Sequence, residues 1–554
     1  MVSRVEQQII DCIENKQNFV LDAGAGSGKT TTLVSTLNYL LSKKSKELQQ
    51  YNQKIVCITY TNVAKNEIIE RTEHNSLIIV NTIHDFLWDC IKSFQKELKI
   101  KLLDIVSEKL SNTKNEQATK KSTTTKVYKE LTEKIEKYTS AINSLSEVQK
   151  IEYKNFTAYD KGIFSHDDLI VIAEKMFSFY PKLNKIISSL YPFIFVDEYQ
   201  DTQKETIEIL LKTLNQEKNC VIGFFGDKMQ QIYDTGIGEI PKEYNLRRIP
   251  KDENYRSSIE VVNLLNKIRD DIKQEFCKKE HGSILFYHQP NLVSLDTKKF
   301  IEENLKSQWH LNGVKDSKIL YLTHRFISKE NQYEDLYKFY KYTDVITDNK
   351  NNRDSSPHTD FLFDIEEIIN LYINNKTQDF LNKTTYEINS FLEKKQLKKL
   401  MDELIITRNN QKIEDVIKYV IENNILPQSE KMVNYDFEDE DKKQFYENMM
   451  MLDYAQFVRL YQVQQEHTPF STQHGTKGDE FDNVLIVIDD NAWNKYNFNE
   501  YFSDINGTSS RIKKSKNLFY VICSRARKNL AILFVSELSD AAKQQVESWF
   551  GEIN

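Results

Sequence analysis

Residues 23–30 read AGAGSGKT: a small residue, four variable positions and then Gly-Lys-Thr. Glycines at this spacing let backbone N–H groups approach phosphate oxygens closely, and a helix N-terminus adds partial positive charge there. Lys29 is then expected to reach the β- and γ-phosphates of a nucleotide, and the Thr30 hydroxyl to ligate Mg2+. The candidate nucleotide-binding stretch is Ala23, Gly24, Ala25, Gly26, Ser27, Gly28, Lys29, Thr30 and Thr31. A phosphate site that hydrolyses also needs a carboxylate for the metal and one to activate water. IFVDEYQD (194–201) offers both, with Asp197 as the Mg2+ ligand and Glu198 as the general base. An isolated Asp-Glu pair is more often a solvated loop. Here it follows an apolar strand, downstream of a glycine-rich turn that itself lies between a strand and a helix.

The elements that must carry these residues are legible as short apolar runs rich in β-branched and aromatic residues. They are NFVLD (18–22), KIVCIT (54–59), FIFVDE (193–198), CVIGFFGD (220–227), KILYLT (318–323), VLIVID (484–489) and LAILFV (530–535). Helical patterns separate them, which predicts parallel α/β layers. An early and a late group of strands predict two α/β lobes. Residues 91–154 hold no clear buried strand and carry 14 Lys against 9 acids. Within them, SNTKNEQATKKSTTTK (111–126) is expected to be a mobile loop. Residues 345–455 are Asn- and Lys-rich with amphipathic helical patterns such as FLFDIEEIINLYI (361–373). The expected organisation is a first lobe of 1–90 and 155–260 around a helical insertion, 91–154. The second lobe is 261–345 and 456–554 around another, 346–455.

The 554 residues are too many for one core, and 40% hydrophobic with 28% charged is a globular composition. No run approaches the length of a membrane span, and MVSRVEQQIIDCIENKQ lacks an apolar signal core, so a cytoplasmic location is expected. Six cysteines without a CxxC pair argue against zinc or an iron–sulfur cluster and fit reduced thiols. A net charge of −7 argues against tight coating of duplex, while a locally positive groove for nucleic acid remains open.

Eight stretches, in order, resemble the motifs of the UvrD/Rep/PcrA group of superfamily-one helicases. AGAGSGKTT resembles motif I and ITYTNVAKNEIIERT (58–72) motif Ia. NTIHDF (81–86) is similar to motif Ib, DEYQD to motif II and FGDKMQQIY (225–233) to motif III. ENYRSS (253–258), STQHGTKGDEFDNV (471–484) and LFYVICSRARKNL (518–530) resemble motifs IV, V and VI. The resemblance implies an α/β fold of two RecA-like P-loop lobes with parallel sheets, each with a helical insertion. It implies ATP and Mg2+ as cofactors and 3′→5′ stepping on single-stranded DNA or a single-/double-strand junction.

It also implies roles for individual residues. Gln7 sits where a glutamine reads adenine, with Gln8 as the alternative because the spacing is ambiguous by one residue. Tyr255 would stack on the adenine ring, and Glu480 would lie near the nucleotide sugar. Gln230 would sense the γ-phosphate, while Arg256 and Arg525 would neutralise charge on the transferred phosphoryl group. Arg525 would come from the second lobe, so hydrolysis would require cleft closure. Tyr60, Asn62, His84, Tyr233 and His474 match positions that touch single-stranded DNA. Aromatics there would stack on bases without reading sequence. The bland alternative for Tyr233 and Tyr60 is a packed core aromatic, and for any one arginine a surface salt bridge.

The match has gaps. Motif III continues as IYDTGIG (232–238), with Thr235 and Gly236 at the family's tryptophan and arginine positions. Motif V has Asp479 for leucine, and motif VI has Ser524 for threonine. These departures leave ATP binding intact and bear on how well hydrolysis couples to unwinding. The compact form, with short insertions and no long tail after motif VI, resembles the helicase subunit of the Gabija anti-phage defence system. That resemblance implies an OLD-family nuclease as partner. An autonomous repair helicase and a signalling ATPase without nucleic-acid contact are the competing readings.

Overall fold

In a computed structural model, all residues are described except 1–2, 60–61, 121–124, 155, 215–219, 233–234, 291–295, 341–355, 387, 389, 436, 439, 466–469, 473–478 and 493. The chain divides into two compact units. One comprises Met1–His281 with Lys516–Ser524, the other Gly282–Ser515 with Arg525–Asn554.

The strands of the first unit are β1 (Phe19–Ala23), β2 (Ile55–Thr59), β3 (Ile78–Thr82), β4 (Glu152–Tyr153), β5 (Ile163–Phe164), β6 (Phe193–Asp197), β7 (Val221–Gly226), β8 (Arg247–Lys251), β9 (Glu253–Asn254) and β10 (Glu275–Phe276). Six of them form one sheet in the order β3-β2-β6-β7-β1-β8, and every pairing is parallel. Both faces of this sheet are buried, as parallel sheets require. Strand alternation divides the side chains between two cores. Val20, Val56, Ile194 and Ile222 face one core. Phe19, Leu21, Ile55, Phe195 and Phe225 face the other. The second core is covered by helices α1 (Arg4–Glu14) and α2 (Lys29–Gln50), which contribute Val5, Ile9, Leu33 and Leu37 to it. Ser3 caps α1 with a reciprocal capping box to Glu6.

Within this sheet the sequence reading missed β3 and β8. β8 carries Pro250 and three basic residues, a pattern that reads as a loop. It lies at the sheet's edge, where a strand tolerates a missing N–H. Helices α3 (Asn62–Arg71), α4 (Ile83–Ile91), α5 (Gln95–Ala118) and α6 (Lys126–Leu145) follow β2 and β3. The expected mobile loop over 111–126 is corrected in part, because α5 continues through Ala118. Lys114, Glu116, Gln117 and Ala118 are good helix formers, and the Glu116–Lys120 ion pair, at 3.2 Å, lies across that helix end.

The second unit has its own parallel sheet. It contains β11 (Ser283–His288), β12 (Lys318–Tyr321), β13 (Phe470–Thr472), β14 (Phe481–Ile488) and β15 (Ala526–Phe534). Their order is β11-β15-β14-β12-β13. Its helices Pro357–Ile373, Phe391–Asn410, Ile413–Glu422 and Tyr454–Gln464 share one core with the sheet. A buried ion pair, Arg408 Nη1 to Glu366 Oε2 at 2.6 Å, lies among those helices.

Candidate nucleotide site

The glycine-rich turn joins β1 to α2. Gly26 and Gly28 have φ of +74° and +78°, backbone conformations that favour glycine. A Cβ on Gly26 would stand 2.7 Å from Cβ of Arg256 and 2.9 Å from Oδ1 of Asn254. Close approach of the 254–256 segment, as well as the dihedral, therefore demands glycine. The turn is tied from outside: Asn254 Nδ2 and Gln274 Nε2 donate to the Ala25 carbonyl at 3.0 and 2.9 Å. The Tyr255 amide donates to the Gly26 carbonyl at 2.9 Å. Ser27 Oγ, in the same turn, is buried without a hydrogen-bond partner among the described residues. An orphaned buried hydroxyl in a phosphate-binding turn suits an incoming oxyanion.

Asp197 ends β6, and Glu198 follows with φ +50° and ψ +46°, left-handed for a non-glycine residue. That conformation costs roughly 1–2 kcal/mol. Lys29 Nζ lies 3.0 Å from Glu198 Oε2, which joins the start of α2 to the end of β6. Burial opposes the Lys29 charge, but Glu198, Asp227 and Asp197 outweigh it and raise the pKa of the ammonium. Burial, reinforced by the neighbouring Glu198 carboxylate, pushes Asp197 well above the usual carboxylate range. Gln200, fully buried, donates from Nε2 to Glu198 Oε2 at 2.5 Å and accepts the Asp227 amide on Oε1 at 3.0 Å. Asp227 in turn holds the short helical turn 228–230, accepting the Met229 amide at 3.1 Å and Gln230 Nε2 at 3.4 Å. Lys29, Glu198 and Gln230 are thus linked through Gln200 and Asp227, and Asp197 accepts the Glu198 amide at 3.0 Å.

Arg256 borders the glycine-rich turn, and its Nη1 donates to the Ser524 carbonyl at 3.3 Å. Tyr255 is 51% exposed, with Lys251 Nζ 5.7 Å from its ring centre. Gln7 is exposed on α1 and bonds Asp11 at 3.0 Å, and Gln8 is half-buried. Thr30 is half-buried at the start of α2, and the exposed Thr31 accepts Arg71 Nη2 at 3.1 Å. Arg525 and Glu480 belong to the second unit. There Arg525 is 1% exposed and donates to the Asp479 carbonyl at 3.1 Å, and Glu480 pairs with Arg527 at 3.2 Å.

Of the expected strand contacts, Tyr60, Tyr233 and His474 lie outside the described residues, and Asn62 is described only as the start of α3. His84 is half-buried, its ring 4.9 Å from that of His166 in an edge-to-face arrangement. Gly236, at the family's arginine position, lies against another backbone. A Cβ there would stand 2.3 Å from the Gln200 carbonyl oxygen. The arginine buried beside motif III is instead Arg269, whose Nη1 and Nη2 reach Asp227 at 3.2 and 3.3 Å.

Several contributors were missed. Gln200, Asp227 and Asn254 sit inside recognised motifs (the Gln of DEYQD, the Asp of FGD and the Asn of ENYRSS), so a functional signal existed. Tyr520 likewise lies in the motif VI stretch LFYVICSRARKNL, whereas Gln274 and Arg269 carry no signal that spacing alone could expose.

Oxygen donors suit Mg2+, which binds one or two carboxylates and completes its shell with water and phosphate. Thr30 and Asp197 offer such donors. Among the described residues no group of three or more His, Cys, Asp or Glu side chains could hold a metal alone, so phosphate oxygens would have to share it.

Comparison with known proteins gives a consistent outcome. Residues 3–242 match the UvrD/REP helicase N-terminal domain. The chain is 28% identical to the Gabija protein GajB of Bacillus cereus (strain HuB5-5), over 98% of this chain and 97% of that protein. It is 25% identical to the ATP-dependent DNA helicase PcrA of Staphylococcus aureus (strain Mu50), over 54% of this chain and 45% of that protein. The PcrA of Staphylococcus epidermidis is 27% identical over 47% of this chain and 38% of its own length. The chain thus aligns with less than half of either PcrA but with nearly all of GajB. Residues 3–242 thus match the UvrD/REP helicase N-terminal domain, and the chain is an ATP hydrolase similar to UvrD-like helicases.

Proposed function

We propose that the chain hydrolyses Mg-ATP to step 3′→5′ along single-stranded DNA in the cytoplasm. The observation that carries this reading is the Lys29–Glu198 contact at 3.0 Å, which brings a phosphate cation and a water-activating carboxylate to one point. Lys29 binds the β/γ-phosphates, and the turn 24–28 cradles them with backbone N–H groups. Thr30 and Asp197 would hold Mg2+, which when bound would offset negative charge on the phosphates. Glu198 takes the proton of the attacking water, with Gln200 orienting its carboxylate. Gln230, held by Asp227, senses the γ-phosphate. Arg256 and Arg525 offset charge on the transferred group, and Tyr255 with Gln7 holds the adenine. Asn62 and His84, with Tyr60, Tyr233 and His474, contact the strand.

Similarity over nearly the whole length of GajB favours a second setting for the same motor, a subunit of an anti-phage complex beside an OLD-family nuclease. In that setting the chain alone would unwind poorly. The deciding experiment measures ATP turnover with and without single-stranded DNA, on the chain alone and with its genomic neighbour's product. Lys29→Ala is the control, and it should abolish turnover. Turnover indifferent to single-stranded DNA in both preparations would refute the motor, and near-normal turnover of Lys29→Ala would refute the site.

A further inference from the structure

The nucleotide-binding unit takes residues 516–524 from the last tenth of the chain. Tyr520, on the helix Ser510–Cys523, is fully buried there. Its hydroxyl accepts the backbone N–H of Ala25 at 3.0 Å and Nη1 of Arg269 at 2.6 Å. Arg269 is also buried, at 1% exposure. Besides gripping Asp227, it donates from Nε and Nη2 to Asp271 at 2.8 and 3.1 Å. Its plane lies 5.0 Å from the centre of the Tyr520 ring. One guanidinium therefore joins the turn bearing Gln230 to the hydroxyl that holds the glycine-rich turn.

A buried cation survives only with well-placed anions and acceptors, so this grouping is costly to assemble and stiff once made. Guanidinium geometry matters here, because a lysine offers no planar fork to serve Asp227, Asp271 and Tyr520 together. Ala25 leaves no slack on its other side either, because Asn254 and Gln274 hold its carbonyl.

We infer that Arg269 and Tyr520 are positioning residues for ATP turnover, holding the glycine-rich turn and the Gln230 turn in fixed register through Ala25 and Asp227. This rests on the ATP site proposed above. Tyr520 sets the ground-state shape of the phosphate cradle. Arg269 sets where Gln230 stands relative to it.

The test is steady-state ATP hydrolysis by the full chain, with ATP concentration varied at saturating single-stranded DNA. Tyr520→Phe removes only the shared acceptor. It should raise KM for ATP about fivefold with kcat changed less than about threefold, the cost of one lost hydrogen bond felt in binding. Arg269→Lys should lower kcat about tenfold or more, because Asp227 loses its paired contact. Asp168→Asn is the structural control. It breaks a comparable grouping, Asp168 with Lys109 at 2.5 Å and Tyr159 at 2.6 Å, that among the described residues shows no hydrogen bond to residues 24–28. It should lower Tm while leaving KM and kcat as they are. If Arg269→Lys proves too unstable to purify, Tyr520→Phe decides alone. Wild-type KM and kcat in Tyr520→Phe would overturn the inference, as would an equal KM shift in Asp168→Asn. A wild-type chain with no ATP turnover at all would refute the underlying site instead, so the two failures are distinct.

Discussion

Glu198→Gln tests the site most sharply, because it should push binding and hydrolysis in opposite directions. The perturbation keeps side-chain volume and removes one charge. Lys29 Nζ and Glu198 Oε2 are 3.0 Å apart, and their side chains are 11% and 25% exposed. At an effective dielectric of about 20 the gross attraction at that separation is about 5 kcal/mol. Desolvation of both groups cancels most of it, leaving a net pairing of about 1 kcal/mol. In the proposed site the same ammonium serves an incoming phosphate, so that pairing opposes nucleotide binding. Without it ATP should bind roughly fivefold tighter. Loss of the base should slow hydrolysis about 10²–10⁴-fold. Equilibrium binding of a fluorescent ATP analogue reads the first quantity and single-turnover hydrolysis the second. Weaker binding in the variant would refute the competition between carboxylate and phosphate for Lys29. Hydrolysis within tenfold of wild type would remove Glu198 as the base.

Other perturbations bear on separate parts of the structure. Gly26→Ala places a Cβ 2.7 Å from that of Arg256 at a φ of +74°, so it should destabilise the first unit by about 1–2 kcal/mol and raise KM for ATP at least severalfold. Unchanged Tm and KM would show that the 254–256 segment yields freely. In the second unit, burial lowers His358 from 6.5 to about 4, with its ring against Tyr435 and Tyr446 at 4.8 and 4.7 Å. The native state prefers the neutral ring while the unfolded chain takes up a proton near 6.5. This contribution is therefore complete above that pH and is lost as pH falls toward 4, by about 2 kcal/mol at pH 5. Thermal unfolding at pH 7 and pH 5 should show a smaller pH difference for His358→Phe than for the wild type. An equal difference would assign the acid sensitivity elsewhere.

What sequence could and could not reveal divides along physical lines. Local backbone chemistry writes itself into adjacent residues: AGAGSGKT needs glycines because two of its positions have positive φ. Seven apolar strands were legible for a similar reason, since a parallel sheet buried on both faces demands continuous apolar runs. β8 was not legible, because an edge strand is free to carry Pro250 and basic residues. The polar scaffold was hidden more deeply. Arg269, Tyr520 and Gln274 act on the glycine-rich turn from positions far from it in sequence, and no spacing rule connects them.

The amino-acid sequence by itself determined the glycine-rich turn, the carboxylate pair at the end of β6, and the order of motifs by which the chain resembles UvrD-like helicases. Each is a property of a few neighbouring residues and the dihedrals or charges they impose. Only the tertiary structure decided that Glu198 takes a left-handed backbone to meet Lys29, that Gly236 lies against the Gln200 carbonyl, and that a buried guanidinium joins Asp227 to Tyr520. Those arrangements depend on which distant segments the sheet order brings within a hydrogen bond of each other, and that order follows from how the whole chain buries its apolar faces.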